Sequence, residues 1–164
     1  MIYILSGNIE TGKTSALLKW TEARNDVFGI LTPRNKNGIR YLLDVNTKES
    51  FEMETDLKMA DAVTVGRYRF LKSAFEKGNE IIKKALVNNK SGYIIIDELG
   101  KLELKSKGFH ESALLAIPET INNDDLHLIL IIRTTLLLDI IIKYKITDYQ
   151  FMVIEDLNQP SELS

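Results

Sequence analysis

The stretch Gly7-Asn8-Ile9-Glu10-Thr11-Gly12-Lys13-Thr14 fits the phosphate-binding pattern G-x-x-x-x-G-K-[ST]. A triphosphate is a dense cluster of negative charge, and backbone N–H groups can surround it only where side chains do not block the approach. Gly7 and Gly12 leave that room. Lys13 is spaced to reach the β- and γ-phosphates, the Thr14 hydroxyl to ligate Mg²⁺, and Ser15 is next in line for a phosphate contact. Far along the chain, Asp97 and Glu98 stand directly behind the apolar run Tyr93 to Ile96. One carboxylate there can hold the magnesium shell, and the second can orient or deprotonate an attacking water. Lys101 and Arg133 are further cations able to neutralise charge developing on a transferred phosphoryl group.

Chemistry of this kind needs elements that bring the two segments together. Ile2 to Leu5 reads as a buried strand ahead of the loop, and Ser15 to Arg24 as a helix with Ala16, Leu17, Trp20 and Ala23 on one face. Strand, loop and helix thus follow in the order a phosphate cradle requires, and the helix contributes its dipole and unpaired first-turn N–H groups. Tyr93 to Ile96 predicts a central parallel strand buried on both faces, and Leu126 to Ile132 another, ending in Arg133-Thr134. Ligands of open α/β sheets gather at the carboxyl ends of strands. The loop, Asp97-Glu98 and Arg133 are therefore expected to meet.

The remaining pattern fills in the sheet. Val27 to Leu31 reads as a strand, Asn37-Gly38 as a tight hairpin turn, Ile39 to Val45 as the return strand and Ser50 to Met53 as a further one. These form an antiparallel extension at one sheet edge. Residues 54–62 read as loop, Val63 to Val65 as a short strand, and Leu71 to Asn88 as a long amphipathic helix. A helix is expected over Gly108 to Ile117, stopped by Pro118, another over Leu136 to Lys145, and a last strand over Tyr149 to Ile154. Strands alternating with helices predict one α/β domain over residues 1–164 with a mostly parallel central sheet.

Composition limits the function classes. The chain has 164 residues, 45% hydrophobic and 27% charged, which is ordinary for a globular domain. A net charge of -2 gives no general affinity for nucleic acid or anionic membrane, so an anion must be held by a local site. Without cysteine there are no disulfides, thiolate metal sites or cysteine nucleophile. The apolar run ending at Ile132 is cut by Arg133, short of the roughly 20 residues of a membrane span. The amino terminus runs straight into the first strand and loop, so a cytoplasmic enzyme is expected. His110 and His127 lack neighbours at metal-ligand spacing and read as structural.

The chain resembles the small P-loop nucleoside-triphosphatases that include the human cancer-related nucleoside-triphosphatase and its archaeal and thermophilic bacterial relatives. The segment Ile96-Asp97-Glu98-Leu99-Gly100-Lys101-Leu102-Glu103-Leu104 is close to that family's hallmark I-D-E-I-G-K-M-E-L. Phe28-Gly29-Ile30-Leu31-Thr32-Pro33, Leu43-Asp44, Gly66-Arg67-Tyr68 and Lys107-Gly108-Phe109 match in the family's order. The resemblance implies a three-layer fold of the RecA-like branch, with another strand between the loop strand and the Asp97 strand. It implies Mg²⁺-dependent hydrolysis of nucleoside triphosphates to diphosphates with broad tolerance for the base. Lys13 and Thr14 then take the phosphate and metal roles, Asp97 the metal role and Glu98 the water-activating role, and Lys101 falls on the hallmark lysine. Glu10 inside the loop and Arg34 after Thr32-Pro33 depart from the family's pattern. A nucleoside or nucleotide kinase, or a slow-turnover switch or scaffold, stays open on the residues alone.

Overall fold

The computed structural model describes residues 1–8, 11–58 and 61–158. In chain order the elements are β1 (Ile2–Gly7), α1 (Lys13–Thr21), β2 (Val27–Leu31), β3 (Tyr41–Asp44), β4 (Ser50–Glu52), β5 (Ala62–Val65) and β6 (Tyr68–Leu71). They continue with α2 (Lys72–Asn88), β7 (Gly92–Leu99), α3 (Lys101–Leu104), α4 (His110–Ile121), β8 (Leu126–Arg133), α5 (Leu137–Tyr144) and β9 (Gln150–Met152), and a short 3₁₀ helix at Ile154–Asn158 follows.

One sheet runs in the order β4-β3-β2-β7-β8-β1-β9, parallel from β2 to β9 and antiparallel at β3 and β4. β8 lies between the loop strand β1 and the Asp97 strand β7, as the resemblance implied. The central strands are apolar at successive positions because both faces are covered. Ile94 and Ile96 of β7 join Leu128, Leu130 and Ile132 of β8 in the core beneath α2, α4 and α5. Ile95, Ile129 and Ile131 face the other way, packing with Leu5 and with Leu17 of α1. Helices on either side of the sheet make the three layers that the resemblance implied.

The antiparallel extension is present, with Asn35 to Ile39 closing the turn between β2 and β3 through 2.9 Å backbone bonds. A second hairpin, β5-β6, forms its own two-stranded sheet, tied to the segment after β4 by Leu71 N to Met53 O at 2.8 Å and Thr55 N to Arg69 O at 3.0 Å. Its second strand is absent from the pattern reading: Tyr68 to Leu71 is short and α2 starts at Lys72 immediately behind it. Nor does Pro118 stop α4, which continues to Ile121. The ring forfeits one bond near the helix end, to Leu114 on the exposed face, and Asn122 N still reaches the Pro118 carbonyl at 3.1 Å. The last strand is shorter than expected, since the chain turns into the 3₁₀ helix from Ile154.

Candidate active site

The loop leaves β1 at Gly7 and enters α1 through Gly12, whose φ of 82° is left-handed. Glycine adopts this conformation without the Cβ penalty, which lets the chain turn from the loop into the first helical residue, Lys13. Lys13 is nearly buried, and its Nζ donates to the Asn8 carbonyl at 2.6 Å and to Thr11 Oγ1 at 2.9 Å. Burial lowers its pKa; the nearby carboxylates of Glu98 and Asp97 oppose that, and Arg133 adds to the lowering. Ile9 and Glu10 of the expected phosphate contact lie outside the described residues.

Asp97 is buried near the end of β7, inside the break in pairing with β8 between Ile96 and Leu99. Three donors converge on its Oδ2: Thr32 N at 2.7 Å, Thr14 Oγ1 at 2.9 Å and Thr32 Oγ1 at 3.1 Å. Desolvation raises its pKa, and the Thr32 and Thr14 bonds and Arg40 work against the rise. The threonine of the loop and the acid of a distant strand are thus in direct contact.

Between Ile96 and Leu99 the pairing of β7 with β8 shifts register, and Glu98 takes a φ of 71°. A left-handed conformation at a residue with a Cβ costs on the order of 1–3 kcal/mol and concentrates where function requires a particular side-chain direction. Here it accompanies a carboxylate held on both oxygens. Arg40 Nη1 donates to Oε2 at 2.9 Å, and Arg133 Nε donates to Oε1. Arg133 projects from the end of β8, one strand away, as expected.

Arg40 has no counterpart in the sequence reading. It sits just before β3 in the return arm of the hairpin and also reaches Thr32 Oγ1 at 3.3 Å. No spacing rule links it to Glu98; the closest signal was Thr32-Pro33, which brings the hairpin alongside β7. Lys101 sits differently from the other cations. It opens α3, is exposed, and lines a neighbouring cavity instead of the one around the loop.

The loop cavity has a volume of about 350 Å³ and is bounded by Lys13, Thr14 and Ser15 on one side and Asp97, Glu98 and Arg133 on the other. Its chemistry is that of a polyanion site: a lysine and three arginines, the start of a helix, and hard oxygen donors on Thr14 and Asp97. A hydroxyl and a carboxylate in contact fit Mg²⁺, which takes few protein oxygens and shares the rest of its shell with water and substrate phosphates. Among the described residues no cluster of three or more histidine, cysteine or acidic side chains forms a separate metal site.

Residues 2–159 match the model of a family described as NTPase. The chain belongs to that family. The NTPase chain is similar in structure to THEP1 from the hyperthermophile Aquifex aeolicus, with a TM-score of 0.70 at 18% sequence identity, covering 94% of this chain and 90% of that one. At that identity the likeness establishes a shared fold. No curated protein sequence matches this NTPase. Among its described residues no helix is long and apolar enough to cross a membrane.

Proposed function

We propose that this NTPase hydrolyses nucleoside triphosphates to diphosphate and phosphate in a Mg²⁺-dependent reaction with little selectivity for the base. The observation that carries the proposal is the bond from Thr14 Oγ1 to Asp97 Oδ2, which ties the phosphate loop to the acidic strand end. Thr14 and Asp97 would hold the ion. When bound, magnesium supplies positive charge to the β- and γ-phosphates.

The chain's own residues do the rest. Lys13 leaves the Asn8 carbonyl for the phosphate oxygens, and the loop N–H groups bind the same anion. Glu98 orients the attacking water. Its carboxylate offers about four lone-pair directions, and the two arginines occupy one on each oxygen. Arg133, close enough to Lys13 to affect its charge, stabilises the negative charge that develops on the transferred group. Lys101 serves the neighbouring cavity in this reading.

The test is phosphate release from ATP, GTP, CTP and UTP by the purified protein with and without Mg²⁺, alone and with nucleosides added. Release without an acceptor supports hydrolysis, and transfer that requires a nucleoside supports a kinase. Lys13→Ala should weaken triphosphate binding and turnover together; unchanged affinity would remove the loop from the mechanism.

A further inference from the structure

Behind Glu98 lies a second cavity, of about 380 Å³, which shares Thr32, Arg34, Arg40, Asp97, Glu98 and Arg133 with the loop cavity as a common wall. Its interior is aromatic. The Phe75 ring meets Phe70 and Phe109 edge-on, at centroid distances of 6.2 and 5.0 Å. At the mouth Tyr68 carries the Arg34 guanidinium 5.3 Å and the Arg67 guanidinium 4.9 Å from its ring centre. The Arg67 hydrogen bond and then Arg34 hold the Tyr68 phenol below its ordinary pKa, the direction a positive surrounding imposes.

The acids of this cavity are already bonded. Glu103 accepts from Gly100 N at 2.7 Å and Phe109 N at 2.8 Å, Asp97 from Thr14 and Thr32, and Glu98 from its two arginines. The rim is nonetheless positive in balance: Arg34, paired with Glu54 at 3.7 Å, and Arg67, bonded to Tyr68 at 2.7 Å, stand there with the exposed Lys101. Apolar walls with a few convergent polar groups, at this volume, are the usual make-up of a small-molecule site. Apolar, ring-built walls suit an aromatic guest, and a guanidinium rim suits an anion.

We propose that this second cavity binds a flat aromatic molecule bearing an anionic group, and that its binding draws Arg40 off Glu98. Arg40 is the link because it lies on the common wall, with Glu98 Oε2 at 2.9 Å and Thr32 Oγ1 at 3.3 Å as its partners. An anion arriving from the second cavity competes for the same guanidinium. Glu98 released from one of its two positive partners is a stronger acceptor for the attacking water. The coupling rests on the hydrolytic reading; the site itself does not.

The experiment uses naphthalene-2-sulfonate as probe, titrated by calorimetry into the protein saturated with Mg²⁺ and a non-hydrolysable triphosphate, so that the loop is already filled. One-to-one binding is expected, about tenfold or more tighter than that of neutral 2-naphthylmethanol, the margin of one charge-assisted hydrogen bond. Val65→Trp, which fills the cavity, and Arg67→Glu, an exposed position that reverses charge at the rim, should each weaken binding about tenfold. Binding untouched by both substitutions, or equal for the charged and neutral probes, overturns the site. The probe should also raise kcat, and Arg40→Ala should raise basal kcat and abolish the stimulation; a kcat indifferent to bound probe overturns the coupling. Probe binding by a protein that hydrolyses no triphosphate would leave the site standing and overturn the hydrolytic reading.

Discussion

Arg40 and Glu98, 58 residues apart in sequence, meet at 2.9 Å across the junction of the hairpin and the central sheet. With Arg133 of β8 on the opposite oxygen, the glutamate directly after Asp97 is held from β8 on one side and from the hairpin arm just before β3 on the other. The pair is partly exposed, so its net contribution to stability is modest. Its consequence is local: two guanidiniums from separate parts of the chain close on a carboxylate whose backbone stands at φ 71°.

Replacing Glu98 with glutamine keeps the size and one acceptor oxygen but removes the charge. Nucleotide affinity should change by no more than a few-fold while kcat falls by about 10² or more, the range that positioned proton acceptors supply. Single-turnover phosphate release beside equilibrium binding of a fluorescent triphosphate separates the two. A glutamine variant turning over at the parent rate would exclude Glu98 from water activation.

Thr14 offers a contrasting case, since its hydroxyl touches Asp97 directly. Thr14→Ala should raise the Mg²⁺ concentration needed for half-maximal turnover by about tenfold or more, and Thr14→Ser should restore it, because only the hydroxyl is at issue. An alanine variant with the parent's magnesium dependence would place the ion elsewhere.

How far these relationships were legible depends on how local they are. The loop was readable because all its parts lie within one turn of chain, and Asp97 because an acid directly behind a buried apolar run stands out from it, although β7 runs on past it to Leu99. The parallel sheet followed from apolar runs such as Ile94 to Ile96 and Leu128 to Ile132, which only two covered faces explain. Arg40 was invisible: a single arginine in a hairpin arm has no periodicity, and its partner is chosen by how the hairpin folds over β7. The strand Tyr68–Leu71 was hidden because α2 begins without a side-chain cap to mark the boundary. Pro118 misled for a related reason, since a proline late in a helix forfeits little when the affected turn faces solvent.

His127 makes a pH-dependent prediction away from the site. Its ring packs near Tyr3 and Tyr93, its Nδ1 is buried without a hydrogen-bond partner, and burial, with the amino terminus, lowers its pKa. The folded state then refuses a proton that the unfolded state accepts. Stability from this residue is complete above the unfolded imidazole value of about 6.5 and is lost as pH falls through it towards the lower folded value. His127→Phe keeps the ring packing and removes the titration. Urea unfolding midpoints between about pH 7 and about pH 5 should fall less steeply for the variant than for the parent; equal slopes would show that His127 titrates alike in both states.

Gly108 carries a heavier constraint. Its φ is 64°, and a Cβ built there would lie only 2.2 Å from Glu103 Oε1. That oxygen is not free to move aside, because it accepts the Phe109 N–H at 2.8 Å while Oε2 accepts Gly100 N at 2.7 Å, fixing both ends of the segment that follows the acidic strand. Gly108→Ala must either break the Glu103 bond, leaving a buried carboxylate short of a donor, or shift the backbone that seats Phe109 in the core. Either route should cost about 2–4 kcal/mol, combining a strained φ with an unsatisfied buried group. Gly100→Ala is the control for the clash, since the nearest atom to its Cβ is 3.9 Å away. Equilibrium unfolding should place Gly108→Ala well below the parent and Gly100→Ala close to it. Equal stability of the two variants would show that the Glu103 carboxylate yields, and that it does not anchor the loop behind the site.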